Sequence, residues 1–126
     1  MDSLKEKKAW SIVKRAQSFT HAFRGIRLFW AMTPNARIHV FAMIVVVLSG
    51  FYFEISSFEW IALILVMGFV LVAEAFNTAI EIDINLTSPE YHPYARDTKD
   101  VAAGAVLLAA IVALVVGFIV FLPKIL

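Results

Sequence analysis

The chain has 126 residues, 61% of them hydrophobic and 17% charged, with a net charge of +1 and a mean hydropathy of +0.82. An ordinary soluble domain is about half apolar and about a quarter charged, and one domain of this length cannot bury that much apolar surface in its own core, so lipid must cover the rest. The absence of cysteine excludes disulfides, thiolate catalysis and cysteine metal sites, and the near-neutral charge gives no reason to expect a nucleic-acid partner.

The N-terminal segment, residues 7–33, carries Trp10, Val13, Phe19, Phe23, Ile26 and Trp30 mostly at three- and four-residue spacing, with Lys8, Lys14, Arg15, Arg24 and Arg27 between them. That pattern predicts a basic amphipathic helix lying in the membrane surface. Pro34 should break it, and Asn35 can cap the next helix. The first 36 residues lack a short apolar core followed by a small-residue cleavage site, so no cleaved signal peptide is expected.

Three apolar stretches follow, at 38–55, 60–80 and 101–122. Each is close to the roughly 20 helical residues that cross a hydrocarbon layer of about 30 Å. Helices are expected, because an open sheet leaves its edges unsatisfied in lipid. Eight of the eleven Lys and Arg residues precede the first stretch, and Arg96 and Lys99 lie between the second and third. By the positive-inside rule the N-terminus and the 82–100 connection face the cytoplasm, and Lys124 lies outside. In the third stretch Ala105, Ala109, Ala113 and Gly117 place a small residue at every fourth position, which suits close helix packing within or between subunits. Three spans alone enclose little, so an oligomer is expected.

The chemistry concentrates in Glu74-Ala-Phe-Asn77-Thr-Ala-Ile-Glu81. At about 100° per residue Glu74, Asn77 and Glu81 share a wedge of about 60°, with Thr78 and Asn85 beside it. An acid inside a span costs at least about 2.5 kcal/mol on insertion scales, so it is functional or paired. A hydrogen-bonded cluster that glues the bundle is the structural alternative, although such glue is usually Ser, Thr, Asn or Gln. Glu74 and Glu81 are about 10 Å apart along the axis, which predicts one carboxylate buried and the other near the cytoplasmic surface. The buried one can accept the proton of a lipid hydroxyl, and the outer one can hold the Mg²⁺ that accompanies ATP. Lys99 can neutralise a transferring phosphoryl group. Asp100 can pair with a lysine, bind a nucleotide hydroxyl, or cap the third helix from its first turn. The five glycines form no phosphate-cradling loop, and His21, His39 and His92 are too dispersed for a zinc site.

The run from Glu74 to Glu81, the loop Ser88-Pro89-Glu90-Tyr91-His92-Pro93 and the run Lys99-Asp100-Val-Ala-Ala-Gly-Ala-Val-Leu resemble the prokaryotic diacylglycerol kinase and undecaprenol kinase family. The likeness extends to Asn35-Ala-Arg37-Ile-His39 and to Phe121-Leu-Pro123-Lys124. It implies an all-α membrane protein, with an amphipathic surface helix and three transmembrane helices, assembled as a homotrimer in the bacterial inner membrane with its N-terminus cytoplasmic. It also implies MgATP-dependent phosphorylation of a lipid alcohol at sites shared between subunits. Glu74 then matches the catalytic base. Asn77 and Glu81 match residues on nucleotide and metal, Glu90 and His92 the loop around adenine, Lys99 and Asp100 residues near phosphates and ribose, and His21 a nucleotide contact from the surface helix.

The chain departs from the family twice: Thr33 stands where many members have a second metal-ligating Glu, and Asn85 where they have Asp. Asp83 points to the other side of the helix from Glu81 and is a poor substitute. The 88–93 loop and the C-terminal end are closer to the undecaprenol branch, so undecaprenol is the expected substrate and diacylglycerol the alternative. A bundle that has lost catalysis but binds nucleotide is the reading that Thr33 and Asn85 favour.

Overall fold

The computed structural model describes residues 2–126, with only the backbone of Ala9. Four helices account for nearly all of it, and no strand occurs among the described residues: α1 (Asp2–Met32), α2 (Pro34–Tyr52), α3 (Ser57–Thr87) and α4 (Pro93–Ile125). The chain divides into two compact units, one ending at Met32 and one spanning Thr33–Leu126.

The first unit is α1 alone. It starts five residues before the predicted segment and runs 31 residues, about 46 Å at 1.5 Å per residue. Its large apolar side chains, Trp10, Phe19, Phe23 and Ile26, are exposed within that unit.

In the second unit, α2, α3 and α4 are each long and apolar enough to cross a membrane. The protein is an all-α, multi-pass membrane protein. Pro34 occupies the first turn of α2, where its missing N–H and preset φ cost nothing. The cap position falls to Thr33 rather than to Asn35, which lies inside the helix. The Thr33 hydroxyl makes no capping bond because it is committed elsewhere, to Thr78.

Between α2 and α3 the chain turns in four residues, with Glu54 at φ 50°, in the left-handed region. Ser56 caps α3, accepting from the Glu59 N–H while Glu59 reaches back to the Ser56 N–H. Glu59 also pairs with Lys124 near the end of α4, at 3.1 Å. Behind this turn lies the apolar core, formed by Ile55, Leu63 and Val120 with Trp60, Met67, Phe53 and Phe121 packed around them. Gly50 admits the Trp60 ring: a Cβ built there would meet it at 2.6 Å.

At the opposite end the polar connection is far shorter than the expected 82–100. α3 continues to Thr87 and α4 starts at Pro93, leaving five residues outside helices. Both helices exceed the roughly 30 Å hydrocarbon thickness, being about 46 and 50 Å long, so their polar ends extend past it without breaking the backbone pattern. His92 caps α4, its Nδ1 accepting from the Tyr94 N–H. Asp100 therefore lies two turns inside α4 and does not cap it.

The four-residue stripe on α4 is only partly internal. Ala109 is buried, with Ala102 and Val120 on the same inward face, whereas Ala105 is exposed. Most large side chains of the three helices, Phe69, Phe76, Leu107 and Phe118 among them, also face outward.

Candidate active site

The polar positions of α3 form a ladder, and the neighbouring elements supply a partner at three of its rungs, Glu74, Thr78 and Asn85. Glu74 is the deepest, at 2% exposure. Its Oε1 lies 3.1 Å from Nε2 of His39 on α2. One turn on, Thr78 shares a 2.6 Å hydrogen bond with Thr33, itself buried at the start of α2. Asn77 donates from Nδ2 to Glu81 Oε1 at 3.2 Å, along the same helix. Asn85, near the end of α3, accepts from Lys99 Nζ on α4.

This arrangement bears out the division of the two carboxylates: Glu74 is sealed among helices while Glu81 is exposed. It also explains why an acid is tolerated in so apolar a helix, because Glu74 keeps a hydrogen-bond partner when water is removed. The two departures from the family pattern are both engaged. Thr33 bonds Thr78, and Asn85 holds Lys99 through a neutral carbonyl, which leaves the ammonium charge uncancelled at that contact.

A cleft of about 270 Å³ opens where α3, the 88–92 connection and α4 meet. It is lined by Asn85, Glu90, His92, Lys99 and Asp100, so four of the sequence-derived candidates converge there. Tyr91 and Arg96 also line it, with the guanidinium 6.0 Å from the ring centroid. Such a cleft offers an aromatic face, cations and acceptors together, the groups a nucleotide requires. His21 stands exposed on α1, in the other unit.

Whether the site fits a divalent cation can be judged from its donors. Among the described residues no three His, Cys, Asp or Glu side chains gather into a metal cage. Asn77 Oδ1, however, is buried without a hydrogen-bond partner, on the residue that bonds Glu81. An unsatisfied amide oxygen and a carboxylate are both hard donors. Mg²⁺ commonly takes one or two protein oxygens and completes its shell with phosphates and water. The donor set fits a cation that arrives with ATP better than one held permanently.

Sequence reasoning passed over three participants. His39 figured only as one of three scattered histidines and as the end of the Asn35–His39 run, Thr78 as a neighbour of the wedge, and Arg96 as a topological charge. Their roles depend on which helix lies opposite, and no spacing within one helix encodes that.

Comparison with known proteins identifies the family. Residues 20–121 match the family model for prokaryotic diacylglycerol kinase. The chain is 39% identical over 108 residues to an undecaprenol kinase of Bacillus subtilis, covering 86% of this chain and 88% of that protein. It is 37% identical over 122 residues to a diacylglycerol kinase of Synechocystis, covering 95% and 70%. A diacylglycerol kinase of Escherichia coli K12 is 27% identical over 95 residues, covering 75% and 78%. With most of its length matched, including the α3 ladder and the 88–92 connection, the chain belongs to the prokaryotic diacylglycerol kinase family.

Proposed function

We propose that this protein is an ATP-dependent lipid kinase that phosphorylates undecaprenol to undecaprenyl phosphate. The observation that carries the reading is the α3 ladder: a buried, partnered carboxylate at Glu74, and Glu81 about 10 Å nearer the polar end. Glu74 accepts the proton of the lipid hydroxyl as the hydroxyl oxygen forms its bond to the γ-phosphorus. The bond from that phosphorus to ADP breaks, and its electron pair leaves with ADP. Lys99, Arg96 and the Glu90–His92 loop hold the nucleotide, with Asp100 on the ribose side. Glu81 and Asn77 Oδ1 would hold Mg²⁺, which, when bound, withdraws negative charge from the phosphates.

The protein acts as a homotrimer in the bacterial inner membrane, with its N-terminus cytoplasmic and α1 on the membrane surface. The Lys and Arg distribution supports this orientation. The exposed Ala105 face and the outward apolar side chains of α4 support subunit packing. Glu74, Asn77, Glu81, Lys99 and Asp100 all remain, which favours an active site over a decayed one.

The 39% identity to an undecaprenol kinase supports the choice of lipid, and the 37% identity to a diacylglycerol kinase makes diacylglycerol the second reading. Phosphate transfer from ATP to each lipid, measured side by side in detergent micelles, decides. Faster transfer to undecaprenol is expected; preference for diacylglycerol overturns the substrate, and no transfer to either overturns the kinase.

A further inference from the structure

The His39–Glu74 contact is the one polar contact between α2 and α3 that reaches the proposed base. The His39 side chain is about a quarter exposed (26%) and that of Glu74 almost sealed (3%). His39 also stands at the edge of an apolar groove of about 480 Å³ between α2, α3 and α4. Met43, Val46, Met67 and Val70 line that groove, and Val70 is one helical turn from Glu74. Among the described residues, the one hydrogen-bond partner of the Glu74 carboxylate is this imidazole, on Oε1.

A base in waiting must be ionised, and an ionised carboxylate can only accept hydrogen bonds. With Glu74 as the base of the kinase reading, the proton between the two groups sits on His39 Nε2, which donates to Oε1. A glutamate has three side-chain torsions, and one fixed oxygen removes most of that freedom. The other oxygen keeps its lone pairs for a substrate hydroxyl. The same bond satisfies part of a charge buried in an apolar surround.

We propose that His39 is a positioning residue of the transfer site: its Nε2–H clamps Glu74 Oε1 so that Oε2 alone receives the lipid hydroxyl proton. The role rests on the kinase reading above and asks only for a neutral donor at the reach of Nε2. Glutamine supplies an N–H at about that reach, asparagine places its amide at the shorter reach of Nδ1, and leucine supplies no donor.

The test compares full-length wild type with His39→Gln, His39→Asn and His39→Leu in micelles, each over a range of lipid at saturating ATP and over a range of ATP at saturating lipid. His39→Gln should keep kcat within about threefold, while His39→Asn and His39→Leu lose about a hundredfold, the size expected for misplacing a reacting group by about 1 Å. KM for ATP should stay unchanged throughout. Equal kcat in the Gln and Asn variants, high or low, overturns the clamp, as does a wild-type kcat in His39→Leu. The Gln–Asn contrast separates the clamp from simple polar filling, because both variants keep an amide in the same space. A wild type inert on both lipids overturns the kinase reading and the clamp with it; an active wild type with no Gln–Asn contrast overturns the clamp alone.

Discussion

The two ends of the α2–α3–α4 unit are built on opposite principles. At the end bearing the 53–56 turn, Ile55, Leu63, Val120 and Trp60 fit by shape, with Gly50 cut back to admit the indole. At the other end the helices meet through His39–Glu74, Thr33–Thr78 and Asn85–Lys99, contacts of donor to acceptor. In lipid, where apolar burial between helices gives little advantage over contact with acyl chains, close packing and interhelical hydrogen bonds are the available sources of cohesion. The shape-fitted end tolerates little change in volume but carries no chemistry. The hydrogen-bonded end depends on donors and acceptors that meet.

That contrast breaks most sharply at Glu74. Glu74→Gln keeps size and hydrogen-bonding capacity but removes the base, so turnover should fall by at least about a hundredfold. The proposed homotrimer and its unfolding midpoint should stay intact. A wild-type rate in this variant would count against Glu74 as base.

Leu63→Ala should do the reverse. Leu63 is the largest fully buried side chain among the described residues, and its removal should cost about 2 kcal/mol of stability, mainly from lost packing contacts. The detergent unfolding transition checks this, with kcat at low temperature unchanged. If kcat fell as steeply as for Glu74→Gln, the two ends would not be independent.

Glu81→Gln should raise the Mg²⁺ concentration needed for half-maximal rate about tenfold, the lower range for weakening a metal site, with little change in rate at saturating Mg²⁺. An unshifted Mg²⁺ titration would count against Glu81 as a ligand. The smallest effect is expected at the rim of the packed end. Lys124→Ala removes a partly exposed ion pair to Glu59 and should shift stability by less than about 1 kcal/mol, read in the same unfolding transition and weaker still in high salt.

Much of the molecule was legible in the chain itself. Hydropathy located three spans, Pro34 ended the first helix, and the 100° period put Glu74, Asn77 and Glu81 on one face, with the depth difference that burial bears out. Span ends were less legible. The pattern stops at the edge of the apolar run, whereas α3 and α4 go on through polar residues as far as Thr87 and back to Pro93, because a helix needs only its own backbone bonds to continue. The cap of α2 was misread for a related reason: Pro34 in the first turn moves the cap back to Thr33, whose hydroxyl serves Thr78 instead.

What the sequence determined by itself is the solvent and the stripe: a composition that only lipid can cover, and a carboxylate face whose angular spread follows from helical pitch. Only the tertiary structure decided who answers that face. His39 lies 35 residues from Glu74, and Thr33 lies 45 from Thr78. Local periodicity relates positions on one helix but carries no register between two. That register comes from the packing of whole helices, and it gives the isolated acid a hydrogen-bond partner in His39 and engages both Thr33 and Asn85.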